Sequence, residues 1–165
     1  MELEFYGAAG QVTGSCHILR VAGATVLLDC GLIQGGRKAE AANSDPFPFD
    51  PAQIDAVVLS HAHIDHSGRL PLLFKRGFRG VVHTHNASKE LVSILLADGA
   101  SLERSRVRRE NRRLMDKGEP PIEPLYEMSD VEAVLEVMHG HRYDKAVDVL
   151  PGIRLRFLDA GHIMG

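Results

Sequence analysis

Residues 54–59, Ile-Asp-Ala-Val-Val-Leu, form a short apolar run, and it is followed at once by Ser-His-Ala-His-Ile-Asp-His-Ser-Gly at 60–68. A run of this length with β-branched residues reads as a buried strand, and the Gly68 that follows reads as a turn. The chain therefore has to place three histidines and an aspartate where a buried strand stops. In extended backbone, side chains two apart share a face. His61 and His63 can then grip one cation, while Asp65 and His66, displaced by the turn, address a second position beside it. Imidazole with carboxylate suits zinc, and manganese or iron fit the same donors. A catalytic zinc takes about three protein ligands and leaves a position for water. His162, in the glycine-flanked turn Ala-Gly-His at 160–162, is the best source of the third ligand. Asp29 ends another apolar run, and a carboxylate at a strand mouth commonly holds a ligand imidazole by its other N–H.

The rest of the chain reads as mixed α and β. Strands are expected over 3–6, 15–21, 24–30, 54–59 and 80–83, with a hairpin over 145–159 turning at Pro151-Gly152. Residues 31–52 read as loop. A helix capped by Ser67 is expected to about 76, a long one from 86 or 88 to about 117, and one from a Ser129/Glu132 capping box to about 138. Strands paired at both ends, with helices between, argue for an α/β or α+β layered domain. The hydrophobic fraction of 44% is ample for a core, and no apolar run approaches the length of a membrane span. The N-terminus lacks the features of a secretion signal, so a cytoplasmic protein is expected. Cys16 and Cys30 read as buried free thiols. His83-Thr-His85 lacks the Asp-His that follows His63, and His139-Gly-His141 reads as a cationic cap on a helix C-terminus.

Net charge is −3, so contact with a polyanion requires a local patch. One candidate is present: Arg104, Arg108 and Arg112 fall on one helical face at i, i+4 spacing, where they can neutralise phosphates or form a solvated ion-paired surface. The loop at 7–14 lacks the Gly-Lys-Ser/Thr of a nucleotide-binding loop.

His61-Ala-His63-Ile-Asp65-His66 resembles the signature of the metallo-β-lactamase superfamily. The stretches at 7–15, 27–31 with Gln34-Gly35, 60–71, 123–126 and 159–165 further resemble its β-CASP branch of RNA-processing nucleases. The resemblance implies an αββα sandwich with two Zn2+ ions at the strand ends. His61, His63 and His162 would hold one ion, Asp65 and His66 the other, and Asp29 would support the site. It implies a hydrolase, most specifically a ribonuclease acting with a metal-bound hydroxide, RNA as substrate, and catalytic roles for the same five ligands. It also implies that residues 1–165 are the first part of that domain. A bridging aspartate, a last histidine ligand, the general acid and the β-CASP insertion would lie further along a longer chain, and the fragment alone would be inactive. Three alternatives stay open: a hydrolase of thioesters or lactams, a DNA nuclease, and a catalytically silent RNA-binding subunit. Exo or endo polarity and oligomeric state, a homodimer included, are not legible in these residues.

Overall fold

The computed structural model describes residues 1–165, apart from the side chain of Arg37. Six strands form one sheet in sequential order: β1 (Glu2–Phe5), β2 (His17–Val21), β3 (Ala24–Leu28), β4 (Ala56–Val58), β5 (Val81–His85) and β6 (Met138–His141). β1, β2 and β3 pair antiparallel, joined by loops or a tight turn. From β3 to β6 all pairings are parallel. A parallel step needs a crossover, and right-handed crossovers that always advance in one direction fall on the same face. That face carries α1 (Arg37–Ala41), α2 (Ile64–Ser67), α3 (Leu70–Lys75), α4 (Asn86–Asp116) and α5 (Met128–Glu136).

The core follows from the side-chain periodicities. Leu27, Val57, Val82 and Met138 project from neighbouring strands into one layer. Leu70 and Leu73 of α3, Val92 and Leu96 of α4, and Val131 and Val134 of α5 close over them at helical spacing. The second half of α4 buries little beyond Ala100 and Val107, so most of its arginines face solvent. Over the other face comes a two-stranded antiparallel sheet, β7 (Val147–Leu150) and β8 (Ile153–Leu155). It leaves Leu3 and Phe5 of β1 46% and 62% exposed. No helix among the described residues is long and apolar enough to cross a membrane.

Several expectations are corrected. Ser67 does not cap a helix: it lies inside α2, its hydroxyl donating to the carbonyls of Ala62 and His63, and the segment breaks at Gly68 before α3 begins. The capping role before α5 belongs to Glu127, whose N–H donates to Asp130, and not to Ser129 with Glu132. His139 and His141 do not cap a helix, because α5 ends at Glu136 and both residues sit in β6. The stretch 31–52 holds α1, a 3-10 turn over Ala42–Ser44 and the start of a second one over Pro51–Gln53. Cys16 and Cys30 are free and buried, as expected.

Gly31 marks where the loops cross most tightly. A Cβ there would lie 1.6 Å from the Asp65 carbonyl oxygen, a backbone atom that cannot swing away. Around it, Ser15 N–H donates to Asp65 O (2.9 Å), Cys30 N–H to His66 O (2.8 Å) and Gly31 N–H to Ser15 O (2.8 Å). We expect Gly31→Ala to destabilise the chain by at least about 3 kcal/mol, the upper end of overpacking effects. Urea denaturation checks this, and a loss below about 1 kcal/mol would show that the crossing is loose.

Candidate metal centre

All of the motif residues gather at the carboxyl edge of the parallel strands, where open α/β sheets place their ligands. β3 ends at Leu28, and Asp29 follows with φ of +59°, a left-handed conformation that aspartate tolerates better than most residues. Its N–H donates to Val58 O across the ladder at 3.1 Å. This twist aims the carboxylate sideways along the strand ends. Oδ1 accepts the Ser60 N–H at 2.8 Å. Oδ2 accepts the hydroxyls of Ser15 (3.0 Å) and Ser60 (3.1 Å) and the Nδ1 of His66 (2.8 Å). Asp29 is itself 7% exposed. A buried carboxylate with this many donors is well satisfied, and in the neutral imidazole it holds the His66 proton on Nδ1, leaving the lone pair on Nε2. The Asp65 carboxylate lies 3.7 Å from that Nε2.

His61 and His63 follow β4, and His63 precedes the first turn of α2. His61 Nε2 and His63 Nδ1 are 3.0 Å apart, and His162 Nε2 is 3.2 Å from the same His63 nitrogen. One ligand atom from each of the three lies within 4.8 Å of the other two. Ligands about 2.0–2.1 Å from a tetrahedral zinc stand about 3.3 Å from one another, so the donor set fits such an ion. His162 reaches this place from 99 residues away in the chain. The chain returns to the sheet after β8, and Gly161 at φ +67° lets it turn, its N–H bonded to Asp159 at 2.8 Å. Gly165 is then pinned at both backbone groups, its N–H donating to the Tyr143 hydroxyl and its carbonyl accepting from the Ser88 hydroxyl, both at 2.9 Å.

The structure thus brings together His61, His63 and His162, with Asp65 and His66 adjacent and Asp29 behind His66. Arg104, Arg108 and Arg112 lie apart from this cluster, along a groove on α4 shared with Tyr126 and Met115. Arg106 and Arg113 are instead engaged by Glu103 (2.8 Å) and Glu110 (3.6 Å). Sequence reading passed over Ser15 and Ser60. Only Ser60 had a local signal, as the residue between a strand and its first histidine.

Residues 9–152 match the Metallo-beta-lactamase superfamily. Over 165 residues the chain is 41% identical to Ribonuclease TTHA0252 of Thermus thermophilus, covering 100% of this chain and 33% of that protein. Over 164 residues it is 31% identical to Transcription termination factor FttA of Methanosarcina mazei, covering 96% of this chain and 23% of that one. The chain therefore spans a third or less of the length of these relatives. Among solved structures it is similar to human tRNase Z, short form, with a TM-score of 0.40 and 18% identity over 85% of this chain and 45% of that one.

Protonation follows from the same geometry. Burial, with the neighbouring His66 and His63 imidazoles, lowers the pKa of His61 to about 4. The hydrogen bond to Asp29 raises that of His66 above its usual 6.5. The two act oppositely on the metal-free chain. Acidification from about 6.5 towards 4 destabilises it through His61, since only the unfolded chain then binds that proton. The His66–Asp29 contribution is fully present below about 6.5 and fades as pH rises through the elevated folded value. In an NMR titration of the metal-free chain we expect His61 to titrate near 4 and His66 above 6.5, with Asp29→Asn bringing His66 down. An unmoved His66 in that variant would separate it from Asp29. The chain belongs to the metallo-β-lactamase superfamily, over residues that include every motif histidine but His162.

Proposed function

We propose that this chain is the metal-binding part of a zinc-dependent ribonuclease of the β-CASP type. The observation that carries the reading is the meeting of three imidazoles from opposite ends of the chain where two distant segments reach the sheet edge. His61, His63 and His162 hold one divalent cation; Asp65 and His66 hold a second. Zinc suits these borderline donors, and manganese fits them as well. When bound, the cations supply Lewis acidity and lower the pKa of a water for attack on phosphorus.

The chain's own residues do the positioning. Asp29 and Ser60 orient His66, so that its free Nε2 points away from the carboxylate. Burial keeps the His61 imidazole neutral, and a neutral imidazole is the form that ligates. Arg104, Arg108 and Arg112 have no acidic partner within 4 Å among the described residues and offer a basic strip for the RNA backbone. RNA as substrate is supported by the names of the two relatives, a ribonuclease and a transcription termination factor. The chain covers a third or less of the ribonuclease and the termination factor it resembles, so the cleavage reading is one for a protein of their full length.

The test uses the longer protein that contains these residues, incubated with labelled RNA, single-stranded DNA and a thioester. RNA cleavage is expected, lost to chelation and reduced by His63→Ala by well over the ~10–100-fold that loss of an outer ligand partner produces. Thioester turnover with intact RNA would overturn the reading. Substituting Arg104, Arg108 and Arg112 together by alanine is expected to weaken RNA binding and flatten its log–log salt dependence by about 2, the counterion release of three single-strand phosphate contacts. An unchanged slope would return those arginines to a solvated surface.

A further inference from the structure

A second group of histidines stands on the same sheet and shares no residue with the first. Parallel pairing of β5 with β6 sets His83 opposite His139 and His85 opposite His141. Strand alternation sends His83, His139 and His141 away from the helices, because Val82 and Met138, which precede His83 and His139, enter the helix-side core, while His85 accepts the Ala87 N–H at the start of α4. His83 is 7% exposed, and its Nδ1 lies 3.0 Å from His141 Nε2. That is the separation found between His61 and His63 in the first cluster. The exposed His139 ring meets His83 edge-on with centroids 6.0 Å apart, on the same face of the sheet. Phe157, just past β8, stacks on His141, and Tyr143 stacks on His85.

We propose that His83 and His141, with His139 as a third donor, form a separate binding site for a borderline divalent transition cation such as zinc, cobalt or nickel. Three features support it. The paired nitrogens have the spacing of ligands on one tetrahedral ion. The donors are imidazoles alone, a set that favours these metals over magnesium or calcium. Burial and the neighbouring imidazoles also hold His83 neutral, with a pKa lowered to about 4, so protons compete weakly for its lone pair. The ion would clip β5 to β6, and through the stacked Phe157 it would stiffen the start of the second sheet. Without it, one N–H···N hydrogen bond satisfies the pair, so the site is compatible with a folded metal-free chain.

Cobalt binding tests this in a chain whose first cluster is disabled by His61→Ala, His63→Ala and His162→Ala, with folding checked by circular dichroism. One equivalent of cobalt with tetrahedral visible absorption is expected. His139→Ala should weaken it at least ~tenfold, and His141→Ala should abolish it. No cobalt binding at millimolar concentration, or binding that survives His141→Ala, would overturn the site. Should the triple variant not fold, the same question is read in the unmodified chain, where His141→Ala must remove one equivalent; unchanged stoichiometry there overturns the proposal equally.

Discussion

One carboxylate organises the functional edge of this protein. Asp29 leaves β3 in a left-handed turn and gathers donors from Ser15, in the β1–β2 connection, and from Ser60 and His66, in the connection that follows β4. Each of those segments must be in place for the others to be satisfied, since a buried carboxylate that loses its donors is costly. Around it the backbones brace one another directly, through Ser15 to Asp65, Cys30 to His66 and Leu32 to Ile64. The loop that carries the motif histidines is therefore tied to its neighbours by backbone hydrogen bonds although little of it is strand. Gly31 is the steric counterpart of that bracing, the point where two backbones pass too closely for any side chain.

The topology explains why the site needs so few elements. With sheet order equal to chain order, the helices all lie on one face and the parallel strands all end at one edge. Asp29 and the histidine motif then come from adjacent strands, a strand spacing apart. His162 is the exception. It arrives on a segment following β8, on the opposite face, and the pinning of Gly165 by Tyr143 and Ser88 holds that segment to the first sheet.

The two histidine clusters stand in different surroundings. In the first, an aspartate stands behind one imidazole and another beside it, so the site carries negative charge into a ring of donors. In the second, aromatic rings back the imidazoles and no carboxylate pairs with His83 or His141 among the described residues. The carboxylates thus bring negative charge to the first cluster, and the second keeps a neutral, aromatic setting.

Much of this was legible in the chain before it folded. The apolar run at 54–59 announced a buried strand, and the spacing of His61, His63, Asp65 and His66 announced a polar cluster at its end, because both rest on short-range periodicity. The role of Asp29 behind an imidazole was also legible, though which imidazole was not. Local cap patterns misled at Ser67, Ser129 and His139: a cap is worth about 1 kcal/mol, and packing of the surrounding apolar face readily shifts a helix end by a turn. Sequence alone thus determined which chemistry the chain carries and where its strands stop, since donor type and apolar period are properties of neighbours along the chain. Only the tertiary structure decided that His162 meets His63, that His83 meets His141, and that Ser15 and Ser60 share one carboxylate, because contacts across many residues depend on strand order and register, which no local pattern encodes.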